Sequence, residues 1–153
     1  MKKISLMAFA LALLLFNGIA VAEDTPPTPE EANVWTTEEG VRFYKCPVMK
    51  GEGLVEDASA FSVIEGKKYY FCCPGCPGSF RSDPQKWLME LQLPGNIAKV
   101  DEQGRKHFRD PVSDEVAIVE ENTHYTDYHG YRYFFESKET KKQFDLKHEE
   151  YLK

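Results

Sequence analysis

With 153 residues, 29% of them charged, and a net charge of −6, the chain has room for one ordinary domain or two very small ones. The acidic balance argues against nucleic acid and anionic membrane, which need basic footprints. No Ser/His/Asp set, phosphate loop or spaced carboxylate pair stands out, so the sequence reads as a binding protein and not as an enzyme.

The chain opens "MKKISLMAFALALLLFNGIAVAEDT". Lys2 and Lys3 form a basic start, Leu6 to Phe16 an apolar core, and Ala20-Val21-Ala22 a small-x-small cleavage site. Residues 1–22 therefore read as a secretory signal peptide cut after Ala22, which places the mature protein in the periplasm or outside the cell. The apolar core falls short of the ~20 residues that cross a bilayer, and no membrane span is expected in the mature chain. Losing Lys2 and Lys3 and no acid takes the net charge from −6 to −8. Residues 23–40, acidic and Pro-containing, read as a disordered leader.

Beyond the leader the sequence aligns with itself at an offset of 64 residues. "FYKCPVM" (43–49) lies over "HFRDPVS" (107–113), and "GKKYYF" (66–71) over "GYRYFF" (130–135). Phe80 falls on Phe144, and Trp87-Leu88 on Tyr151-Leu152. Nine identities across the window, with apolar, turn and aromatic positions in phase, indicate a duplicated unit. Each copy predicts a hairpin, with strands Phe61–Ile64 and Lys67–Phe71 around Gly66 in the first. A helical turn over Pro77–Arg81 follows. Ser82 or Asp83 then caps a helix that starts at Pro84, carries Trp87, Leu88 and Leu91 on one face, and stops at Leu93-Pro94-Gly95. The expected fold is α+β: two small tandem β-hairpin-plus-helix modules at 41–93 and 107–153, joined by a linker over 94–106.

The copies differ in their sulfur. Cys46 becomes Asp110, Met49 becomes Ser113, Cys72 becomes Glu136, Cys73 becomes Ser137 and Cys76 becomes Thr140. Units of this size seldom bury enough apolar area alone and are commonly stapled. The sulfurs, lost together while the aromatic residues stay, act as one set. Cys46 and Met49 form a C-x2-M step, and Cys73 and Cys76 a C-x2-C pair within "FCCPGC". Thiolates are soft donors suited to Cu(I) or Zn(II), and a thioether such as Met49 suits Cu(I) far better than Zn(II). An extended strand cannot easily turn both Cys72 and Cys73 to one ion. The expected ligands are therefore Cys46, Cys76 and either Cys72 or Cys73, with Met49 as a fourth.

Two other readings of the sulfurs stay open. One is a structural disulfide without metal, joining Cys46 to Cys72, Cys73 or Cys76. The other is a thiol–disulfide centre at Cys73 and Cys76, although no thioredoxin-like pattern surrounds them. His107, His124, His129 and His148 read as solvated surface, and Asp110 and Glu136 as turn and surface carboxylates at ligand-equivalent places.

The residues "YKCPVM…GKKYYFCCPGCPGSFRSDPQKWL" resemble the YHS/TRASH family of small treble-clef-like metal-binding modules. The match runs through Gly66, Lys67, Tyr69, Phe71, Cys72, Cys76, Phe80, Pro84 and Trp87. The second copy resembles the family's "DPV" variant at Asp110-Pro111-Val112, with Gly130, Tyr133, Phe135 and Phe144 but without cysteines. The resemblance implies heavy-metal binding, sensing or trafficking, with Cys46, Cys72 and Cys76 as ligands. Met49 stands where many members have a second knuckle cysteine, which favours a thiophilic ion over a closed zinc site. The sequence thus anticipates an exported buffer, carrier or sensor for Cu(I) or Zn(II), with a second copy free to dock an exported protein partner. An interaction module stapled by metal or a disulfide is the alternative, and an oxidoreductase using Cys73 and Cys76 the third.

Overall fold

In the computed structural model, which describes residues 28–152, both hairpins turn through paired residues of positive φ. Glu65 and Gly66 (φ 52° and 77°) connect strands β5 (Ala60–Ile64) and β6 (Lys67–Phe71). His129 and Gly130 (φ 51° and 83°) connect β11 (His124–Tyr128) and β12 (Tyr131–Phe135). Two successive left-handed residues make a type I′ turn, whose twist matches that of the strands it joins. The expected signal peptide, residues 1–22, and the start of the expected leader lie outside the described residues.

The described residues form a mixed α+β fold of four three-stranded sheets, four short α-helices and one 3-10 turn, Val55–Asp57. In the first half, β1 (Glu30–Glu31) runs parallel to β6 on the side opposite β5. A second sheet comprises β2 (Val34–Thr36), β3 (Arg42–Lys45) and β4 (Glu52–Leu54). The second half repeats this pairing. There β7 (Leu93–Pro94) runs parallel to β12, and β8 (Ile97–Val100), β9 (Lys106–Arg109) and β10 (Val116–Ile118) make the other sheet. Registers agree as well: Phe43 faces Leu54 as His107 faces Ile118, and Ala60 faces Phe71 as His124 faces Phe135.

Helix α1 (Cys76–Ser82) follows β6 after a turn over residues 72–75. Asp83 then accepts a hydrogen bond from the Lys86 amide and caps α2 (Pro84–Met89), with Pro84 at its first position as expected. In the second half Ser137 caps α3 (Lys138–Leu146), and α4 (His148–Tyr151) ends the described chain. Among the described residues no helix is long and apolar enough to cross a membrane.

The structure corrects the expected leader and linker. Residues 30–36, expected to be disordered, supply β1 and β2, and residues 94–106 supply the end of β7, all of β8 and the first residue of β9. The reason is an asparagine in each segment. Asn33, fully buried, donates to the Lys45 and Tyr70 carbonyls (2.8 Å each) and accepts from the Tyr70 amide (2.9 Å). Asn96 does the same with the Arg109 and Phe134 carbonyls and the Phe134 amide, at the same distances. Each side-chain amide thus bonds two sheets together as a backbone segment would. Asn33 and Asn96 are 63 residues apart, not 64, and the extra residue is absorbed by a bulge between Ile97 and Lys99.

The first half packs Tyr44, Cys46, Tyr69, Tyr70, Phe71, Cys76 and Phe80 into one core. A second core draws on both halves: Trp35, stacked 4.6 Å from Phe43, meets Leu91, Leu93, Ile97 and Phe108. Phe80 and Phe144 are both fully buried, at equivalent places under their hairpins. Burying such a ring contributes about 2–3 kcal/mol. Polar contacts cross between the halves in both directions. Lys45 donates to the Gln92 carbonyl (2.9 Å), and Arg109, its counterpart at the 64-residue offset, grips both oxygens of Glu38 (2.8 and 3.0 Å).

Candidate metal centre

The knuckle that carries Cys46 follows β3. Its turn closes through hydrogen bonds from the Cys46 amide to the Gly51 carbonyl (2.8 Å) and from the Lys50 amide to the Cys46 carbonyl (2.9 Å). Lys50 adopts positive φ (59°) to complete it. Pro47 is fully buried and Val48 packs on the first core, so the knuckle is anchored and Cys46 points inward. Cys72 immediately follows β6, and Cys76 opens α1, where the chain reverses over Phe80.

This arrangement brings the sulfurs of Cys46, Cys72 and Cys76 within 4.8 Å of one another. Cys46 is 0% and Cys76 2% exposed, while Cys72 is half-buried and forms the outer side of the group. Three thiolates around a tetrahedral ion at about 2.3 Å stand about 3.8 Å apart. The observed spacing therefore needs no more than ~1 Å of closure per pair. The donor set fits a soft ion, since its ligand atoms are all sulfur. Burial raises the Cys72 thiol above its ordinary value, and the hydrogen bond and charge of Cys46 add to this.

Cys73, one of the candidate ligands, is elsewhere engaged. It is bonded to Cys76 in a disulfide with Cα atoms 5.5 Å apart, leaving Cys46 and Cys72 as free thiols. The pairing is the one the C-x2-C spacing suggested for a redox centre, and none of the disulfides to Cys46 is formed. Cys76 thus belongs to both arrangements, the disulfide and the three-sulfur group. Its sulfur serves one at a time, because a disulfide sulfur carries no thiolate charge. Met49 is 65% exposed on the outside of the knuckle and is not among the buried sulfurs.

The equivalent place in the second half is closed by oxygen. Asp110, fully buried, accepts from the Val112 amide (2.8 Å) and the Ser113 amide (3.4 Å) with one oxygen, and from the Glu136 amide (3.0 Å) with the other. That carboxylate ties the second knuckle to the end of β12, the two segments that carry Cys46 and Cys72 in the first half. Ser137 and Thr140, at the places of Cys73 and Cys76, are joined by a hydroxyl contact of 3.2 Å. Glu136 itself is exposed.

The histidines contribute no ligand cluster among the described residues. His107 lies 3.0 Å from Asp101, and His148 stacks on Tyr128 (4.2 Å) and meets Phe144 edge-on (5.0 Å). The expectation of His148 as solvated surface is thereby corrected: Tyr128 and Phe144 flank its ring. Asn33 and Asp110 are the residues whose importance sequence reasoning missed. Asn33-Val34 over Asn96-Ile97 was the available signal, hidden by the one-residue change of offset.

No family model, no curated protein and no solved structure matches this chain.

Proposed function

We propose that this protein binds one thiophilic metal ion, Cu(I) or Zn(II), through Cys46, Cys72 and Cys76, and acts as a buffer, carrier or sensor in an exported compartment. The observation that carries the reading is the convergence of three sulfurs, two of them fully or nearly fully buried, from a knuckle and a strand-to-helix turn. The second half supports it by contrast, for the same scaffold closes there with a carboxylate and needs no ion. On this reading the chain is a tandem of two YHS/TRASH-like modules behind a cleaved signal peptide. The first is the metal module, and the second is a metal-free copy that docks an exported protein. Met49, on the exposed rim of the knuckle, supplies a fourth, thioether donor for Cu(I) and stays free with Zn(II).

The test is metal and thiol content measured on one sample. Fully reduced protein, loaded and desalted, retains one equivalent of metal and shields three thiols from alkylation, and Cys46→Ser abolishes both. Retention unchanged in Cys46→Ser and Cys72→Ser sinks the reading. A preference for copper that disappears in Met49→Leu places the thioether on the ion.

A second reading is favoured by the Cys73–Cys76 bond: an interaction module in which that disulfide is only a staple. It predicts that reduced protein takes up no metal while partner binding depends on the second half. A thiol–disulfide oxidoreductase at Cys73 and Cys76 predicts turnover of a disulfide substrate, lost in either serine variant.

A further inference from the structure

We infer that Cys73 is a redox gate on the metal centre: oxidation of Cys73 and Cys76 to their disulfide ejects the ion, and reduction by a thiol admits it. The inference rests on the metal reading above and adds to it a co-substrate class, the thiol/disulfide couple.

Three observations carry it. Cys76 is shared, being bonded to Cys73 and within 4.8 Å of both Cys46 and Cys72. The trio is already gathered around Cys76 while the disulfide is intact, so opening the bond yields a ligand within ~1 Å of its bonding place. Access is unequal as well: Cys76 is buried, whereas Cys73 is half-buried on the turn beside exposed Pro74 and Gly75. A thiolate from solvent therefore reaches Cys73 first, and attack at the accessible sulfur fixes which sulfur leaves.

The chemistry balances as two successive exchanges. An incoming thiolate attacks the Cys73 sulfur, the bond to Cys76 breaks, and its electron pair leaves on Cys76 as a thiolate facing Cys46 and Cys72. A second thiol then displaces the first from Cys73. Cys73 is left as a thiol, and the reductant as a disulfide that has given up two electrons. In reverse, Cys73 attacks a disulfide oxidant and forms a mixed disulfide. Cys76 attacks Cys73, expels the oxidant's second sulfur, and in doing so surrenders its place on the ion. The two ligands that remain, Cys46 and Cys72, hold a soft ion less well than three.

The second half shows what the same turn does without a gate. Ser137 and Thr140 keep the contact through hydroxyls, which cannot exchange, and the trio there is lost with them. Cys73 thus belongs with the metal ligands as a functional partner and is not itself a ligand.

The experiment uses purified protein loaded with Zn(II) while reduced, then equilibrated with mixtures of glutathione and glutathione disulfide. Zinc release is followed with a chromogenic chelator, and the disulfide is mapped by mass spectrometry. Wild-type protein is expected to release its zinc as the disulfide fraction rises, in step with formation of the Cys73–Cys76 link. Cys73→Ser is expected to hold its zinc to a disulfide-to-thiol ratio at least about tenfold higher. Zinc retained by wild-type protein after the Cys73–Cys76 link has formed overturns the gate whatever the variant does. Release from Cys73→Ser at the wild-type ratio overturns it too. In both of those outcomes the metal reading survives. Failure of reduced wild-type protein to take up either zinc or Cu(I) overturns the gate and the metal reading together.

Discussion

The two halves of this molecule close one scaffold with different atoms. Around the first hairpin the fixed points are sulfur: Cys46 beside Cys72, and Cys73 bonded to Cys76. Around the second they are oxygen: Asp110 bonded to the Glu136 amide, and Ser137 to Thr140. The knuckle, hairpin and following helix keep the same pairing in both. A carboxylate with three backbone amides is a closed structure, with its charge satisfied and no donor left for a ligand. Two free thiols and a reducible bond are an open one, whose groups change state when a metal or a thiol arrives. One scaffold therefore accommodates both a fixed staple and a reactive one, and the choice rests on the side chains at four positions.

That contrast is open to direct attack. The largest expected effect is Asp110→Ala, which removes a fully buried acceptor and leaves the Val112, Ser113 and Glu136 amides without it. It should cost about 3 kcal/mol by urea unfolding, against about 1–2 kcal/mol for Cys46→Ala in reduced, metal-free protein. Equal costs would mean that Asp110 is not the staple of the second half.

Next come the paired asparagines. Asn33→Ala removes three hydrogen bonds at a fully buried site and should cost about 2–3 kcal/mol, whereas Asn96→Ala, at a half-buried site that water can repair, should cost about 1 kcal/mol. A reversed order of midpoints would break the equivalence drawn between them.

The smallest effect concerns the contacts that cross between halves. Arg109 donates to Glu38 and holds its carboxyl below the ordinary value of 4.5. A lowered carboxylate contributes stability that is fully present above that value and is lost as the pH falls through the folded one. Because both side chains are well exposed, the contribution is below ~1 kcal/mol. Glu38→Gln should therefore be slightly less stable than wild type at about pH 6, by a margin that shrinks as the pH falls below 4.5. A difference that persists in acid would assign the loss to packing.

Local features are legible in the sequence. The type I′ turns at Gly66 and Gly130, the cap at Asp83 and the helix start at Pro84 depend on residues within a few positions of one another. The 64-residue offset also maps each sulfur onto its oxygen counterpart. The strands at residues 30–36 and 94–100 are not legible in the same way. They carry little apolar pattern, and they are ordered by Asn33 and Asn96, whose bonds reach residues 12 or 13 and 37 or 38 positions away. Trp35, one of few apolar residues in its stretch of sequence, is buried in the core that both halves share.

The sequence by itself determined the turns, the helix starts, the repeat and the inventory of sulfurs, because short-range sterics and spacing suffice for these. Only the tertiary structure decided that Cys72 faces Cys46 and that Asp110 is buried as a staple. The knuckle and the hairpin end that meet at each of these places lie 26 residues apart in sequence, the separation of Asp110 and Glu136. What brings them together is the packing of two sheets over Phe80 and Phe144, which spacing along the chain does not encode.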